Sequence, residues 1–110
     1  TTRFAREEIE SNSMQFLIST YDNGSIDWSL QNNALRNEAL HVWNLYKCGL
    51  LKNIWFTENK DALLIIEAST RDEAESIINE LPLVKENLLK YTIISLLPYT
   101  GYDRIIDTAN

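Results

Sequence analysis

The stretch that decides the fold is "LLKNIWFTENKDALLIIEASTRDEAESIINELP", Leu50 to Pro82. Two runs of bulky β-formers, "LLKNIWFTE" and "ALLIIEA", flank "NKD", a turn sequence, and so read as a hairpin of two strands. Directly after it, Thr70 and Glu73 make the T-x-x-E spacing of a capping box. That opens a helix with an apolar stripe of Ala74, Ile77, Ile78 and Leu81, closed by Pro82. The order strand, strand, helix is therefore written in one continuous segment.

Working outward, "MQFLISTY", Met14 to Tyr21, alternates and is stopped by "DNG" at Asp22 to Gly24, which marks a first strand and its turn. Trp28 to Cys48 contains neither Pro nor Gly and is dominated by good helix formers. Gly49 stands where a left-handed cap is wanted, so this is expected to be one helix of about five turns. "KYTIISLLPY" supplies a last strand, ended by Pro98. The order β-α-β-β-α-β predicts an α+β, ferredoxin-like fold: a four-stranded antiparallel sheet with two helices on one face. Residues 14–98 form the domain, and residues 1–13 and 99–110 are expected to be N-terminal and C-terminal arms.

Both faces of that sheet are apolar. Leu64 and Ile66 oppose Leu63 and Ile65 on one strand, and Tyr91, Ile93 and Leu97 oppose Ile94 and Leu96 on another. Two helices cover one face, and a second copy of the same sheet is the simplest cover for the other, so a homodimer or higher homo-oligomer is expected.

The totals bound the function. A chain of 110 residues, 45% hydrophobic, is one domain able to fold without staples. One cysteine permits no internal disulfide, and no segment reads as a secretory or membrane-spanning run, so a cytoplasmic protein with no membrane partner is expected. The formal charge of −6 with no basic stripe argues against nucleic acid. One His and one Cys cannot build an ordinary zinc site, the carboxylates lack EF-hand spacing, and there is no Walker A, G-x-G-x-x-G or G-x-S-x-G. No metal and no cofactor is expected.

The first helix carries the candidate chemistry. At about 100° per residue, Trp28, Leu35, Ala39, Val42, Trp43 and Tyr46 share a stripe expected to pack on the sheet. Glu38 and His41 lie together on a second, half-apolar side. A carboxylate and an imidazole there suit a pocket rim and equally a subunit contact. Trp55, Phe56 and Tyr91 could stack a planar ligand, although aromatic residues in strands are more often core.

The segment from Cys48 to Pro98 resembles the muconolactone isomerase family, within the dimeric α+β barrel group, and the resemblance covers most of Leu35 to Pro98. It rests on Gly49 at the end of helix one, Ile54-Trp55 in strand two, Ser69 and Glu73 opening helix two, and "LPL" at Leu81 to Leu83. It implies sheet-paired subunits and a cofactor-free proton shift in an unsaturated lactone during aromatic-compound breakdown. By the same resemblance Glu38 matches an acidic residue on helix one and is the proton-transfer candidate, with His41 beside it. Lys52 matches a family Arg and would pair with a substrate carboxylate; Phe56 departs from a basic residue after the Trp, which points to a more apolar substrate or to no catalysis at all. Lys52, Trp55, Phe56 and Tyr91 are thus the expected substrate-binding set, and Lys52 or Tyr91 the donor to an enolate oxygen. The alternatives are a non-catalytic oligomeric module that binds a small apolar or carbonyl ligand, and haem or quinone chemistry with His41 as axial ligand.

Overall fold

A computed structural model describes residues 13–109. Its sheet is formed by β1 (Met14–Asp22), β2 (Leu51–Phe56), β3 (Ala62–Ala68) and β4 (Leu89–Leu96) in the order β2-β3-β1-β4, with every pairing antiparallel. Helix α1 spans Asn32–Lys47, α2 spans Arg71–Asn79, the single-turn α3 spans Pro82–Lys85 and α4 spans Tyr102–Ala109. This is the α+β, ferredoxin-like arrangement expected from the order of the elements.

Alternation in β1 sets the inside of the sheet. Phe16, Ile18 and Thr20 are buried beneath the helices, and antiparallel pairing puts Ile66 and Leu64 of β3 and Ile93 of β4 beside them. Ala74 and Ile78 of α2 and Leu81 close over these side chains, making the core. Thr70 caps α2 as its spacing requires, its hydroxyl accepting from the Glu73 N–H at 3.1 Å. The Glu73 carboxylate takes the Ser69 hydroxyl, and Asp72 and Glu73 both favour the positive end of the helix. At the far end of α1, Gly49 adopts φ +87°, and the N–H groups of Gly49 and Leu50 return to the carbonyls of Tyr46 and Leu45. These are the two closing bonds of a Schellman cap.

One irregularity reorients β2. Leu51 pairs with Ile66 and Asn53 with the adjacent Ile65, so Lys52 is an extra residue, a β-bulge. Leu51, Ile54 and Phe56 consequently face the helices, while Trp55, opposite Leu63, faces the other way.

Several elements differ from the sequence expectation. The long helix is broken: Trp28–Leu30 is a separate 3₁₀ turn, because Asp27 caps it and Gln31 leaves helical geometry at ψ 30° before α1 begins. Pro82 does not merely end α2. It occupies the first turn of α3, where its missing N–H has no partner to lose. The 99–110 segment, expected as a C-terminal arm, contains α4, on which Tyr102, Ile105 and Ile106 are exposed. The N-terminal arm falls almost wholly outside the described residues. Finally, the stripe of α1 expected against the sheet is largely open: Leu35 is 40% exposed, Trp43 54% and Tyr46 54%. Of that stripe Val42 does pack on the core, and α1 is otherwise anchored through Ala34 and Leu45 and by contacts with α3 and β2. It leans on the sheet edge, and a gap opens beneath it.

Candidate active site

That gap is a cleft of about 960 Å³ between α1, the inner face of β2 and β3, and the end of β1. The 3₁₀ turn forms one wall. Asp27 caps the turn through Ser29, bonding both its N–H (3.2 Å) and its hydroxyl (2.6 Å). The turn in turn aims Trp28 back at β1, where its Nε1–H donates to Asp22 Oδ2 at 3.0 Å. Helix α1 supplies a second wall of Leu35, Trp43 and Tyr46, the two rings stacked at 5.9 Å with 23° between their planes. Ile54 and Phe56 of β2 face them across the space. The lining is mainly aromatic and aliphatic, suited to a flat apolar molecule.

Three carboxyls line this cleft, Asp22, Glu38 and Asp61, and Glu38 is the one that α1 contributes. Its Oε1 accepts from the Leu83 N–H at 3.0 Å, and its Oε2 has no hydrogen-bond partner among the described residues. Burial pushes its pKa above the ordinary carboxylate value, and the Leu83 N–H and then the charge of His41 pull it part of the way back. A desolvated carboxyl with one oxygen tethered and the other unengaged can exchange a proton with a neighbouring group.

The six residues singled out from the sequence do not gather in one place. Glu38 and Phe56 line the cleft, and His41 stands beside Glu38 without lining it. Lys52 is ion-paired with Glu67 at 3.1 Å, and Trp55 faces the opposite side of the sheet. Tyr91 faces inward but belongs to α2, its hydroxyl donating to Asn79 Oδ1 at 2.8 Å. Neither Lys52 nor Tyr91 is in the cleft to stabilise an enolate oxygen. The residues sequence reasoning missed as cleft walls are Trp28, Trp43, Tyr46 and Asp22. A signal existed: Trp and Tyr carry polar tips, and a helix wholly covered by a sheet of Leu and Ile favours aliphatic side chains.

No family model matches the chain, and no curated protein matches it. Solved structures do. Muconolactone isomerase superposes with a TM-score of 0.68 at 12% identity, over 80% of this chain and 93% of that one. The 5-chloro-2-hydroxyhydroquinone dehydrochlorinase of Burkholderia phenoliruptrix AC1100, solved with 2,5-dihydroxybenzoquinone, gives 0.60 at 19% identity, over 82% of this chain and 98% of that one. At such identities the likeness is one of fold, and the chain has the fold of muconolactone isomerase, as its sequence suggested.

Proposed function

We propose that this protein is a cofactor-free enzyme that moves a proton within a small, flat, largely apolar carbonyl compound, by isomerisation or elimination. The observation that carries the reading is Glu38: a carboxyl desolvated in an aromatic cleft, fixed through one oxygen and unengaged at the other. Ionised Glu38 takes a proton from a carbon next to the carbonyl. The electron pair left behind forms an enolate, and Glu38 returns the proton at a more distant carbon, or the enolate expels a leaving group. Lys60 and Asn59, at the β2–β3 turn, line the same cleft and are the donors for the enolate oxygen. Two fold neighbours are named as an isomerase and as a dehydrochlorinase, names that match the two outcomes proposed here.

A second reading has its own observation. α3 lacks a side-chain cap, and Glu38 supplies one by accepting from the Leu83 N–H. On that reading Glu38 is structural and the cleft only binds. Glu38→Gln separates the two, since an amide oxygen still accepts from Leu83 but cannot abstract a proton. The probe is α-angelica lactone, an uncharged unsaturated lactone, in D2O, with deuterium uptake and double-bond migration followed by NMR. We expect wild-type exchange above buffer and a loss of about 10²–10⁴-fold in Glu38→Gln. Equal exchange in the two proteins would leave the binding reading.

The same reading includes self-association. The sheet face away from the helices carries Leu17, Ile65, Ile94 and Trp55, with Ile94 and Trp55 about half exposed, and a second copy would cover it. Among the described residues no helix is long and apolar enough to cross a membrane.

A further inference from the structure

The charges around the cleft constrain what enters it. Asp22, Glu38 and Asp61 line it, and Lys60 is the one cation among its described lining residues. Several donors that would otherwise solvate an anion are already engaged. The Trp28 indole N–H is given to Asp22, the Thr20 hydroxyl to the Ala62 carbonyl at 2.8 Å, and the Leu83 N–H to Glu38. Lys52, the partner expected from the sequence for a ligand carboxylate, does not line the cleft and is held by Glu67. An anion moving into this space would shed water against aromatic rings and meet three carboxylates against the single ammonium of Lys60, with no guanidinium fork to replace its hydration.

We propose that the cleft selects ring compounds bearing no negative charge, and that Asp22 and Asp61 are the residues that reject carboxylates. This rests on the reading of the cleft as a small-molecule site and narrows its substrate class to uncharged lactones and enones. Asp22 is the exposed last residue of β1 and Asp61 immediately precedes β3, and both line the cleft.

Benzamide, benzamidinium and benzoate share a ring and a flat substituent and differ in charge, which makes them the probes. Each is titrated into the whole protein at pH 7 and low salt, with the indole N–H signals of Trp28 and Trp43 read by NMR. We expect benzamide and benzamidinium to shift those signals and benzoate to bind at least tenfold more weakly than benzamide. In the Asp22→Asn, Asp61→Asn double variant, where an amide oxygen at position 22 can still accept from Trp28, the benzoate deficit should shrink at least threefold. Benzoate binding as tightly as benzamide in the wild type would overturn the charge selection while leaving proton transfer by Glu38 intact. A deficit unchanged in the double variant would overturn the roles of Asp22 and Asp61. Failure of all three probes to bind would overturn the small-molecule site itself, and the lactone exchange assay would then fail with it.

Discussion

Thr20 offers the most quantitative test of how the cleft is built. It is 3% exposed, and its hydroxyl bridges to one residue of the neighbouring strand, donating to the Ala62 carbonyl at 2.8 Å and accepting from the Ala62 N–H at 3.1 Å. The backbone register of β1 with β3 ends at Ser19 and Leu63, so the side chain takes over where the ladder stops. Thr20→Val keeps the shape and removes both bonds. Two neutral hydrogen bonds at about 1 kcal/mol each predict a loss of about 2 kcal/mol, rising toward about 3 if the Ala62 groups stay dry. With a urea m-value of about 2 kcal/mol/M, that moves the unfolding midpoint down by about 1 M. Protein concentration is held constant, because association also shifts the midpoint. Thr20→Ser, which keeps the hydroxyl, should recover part of the loss, and amide exchange at Ala62 should quicken only in the Val variant. A Val variant within about 0.5 kcal/mol of wild type, or a Ser variant no better than Val, would refute the bridge as a stabilising contact.

Three further outcomes are expected. Gly49→Ala should cost about 1 kcal/mol in urea unfolding through its positive φ alone, since a Cβ there meets no atom within 4 Å. For Glu38 the folded pKa lies above the unfolded value of 4.5, so its protonated form favours the fold below pH 4.5 and that contribution is lost as pH rises through the folded pKa. The stability of wild type relative to Glu38→Gln should therefore fall across that window, and a flat difference would contradict the desolvation. Ile94→Glu, placed on the open sheet face, should reduce the mass seen by light scattering to that of a monomer while leaving far-UV circular dichroism unchanged.

Much of the fold was legible because it depends on local signals that agree with one another. The alternation in "MQFLISTY" puts Phe16 and Ile18 inside, and the hydroxyl of Thr70 does at its helix what T-x-x-E requires. What a helix faces is a different matter. The stripe of Leu35, Trp43 and Tyr46 reveals that α1 is amphipathic, but the same pattern serves for a buried seam and for a cleft wall. The outcome depends on α3, a single turn started by Pro82 and tied to α1 through Glu38, and no periodicity can announce so short an element. Glu38 was legible as a candidate because a carboxylate among apolar helix positions stands out. Lys52 and Trp55 were not placeable, because one extra residue in β2 decides their side of the sheet.

The position of that extra residue along β2 is a variable in its own right. Deleting Lys52 would leave Ile54, Trp55 and Phe56 on their present sides, because the bulge already absorbs the residue that is lost. Moving the bulge is another matter. Were it to slide from Lys52 to Phe56, alternation from Leu51 would run unbroken as far as Trp55, which would then stand opposite Ala62, where Phe56 now is, while Ile54 would turn away from the cleft. A larger ring and an indole N–H would enter the ligand space with no change in chain length. Substitutions that favour a bulge at one point of β2 over another are thus a route by which descendants of this chain can acquire a new specificity, at the cost of turning Asn53 inward beside Leu64.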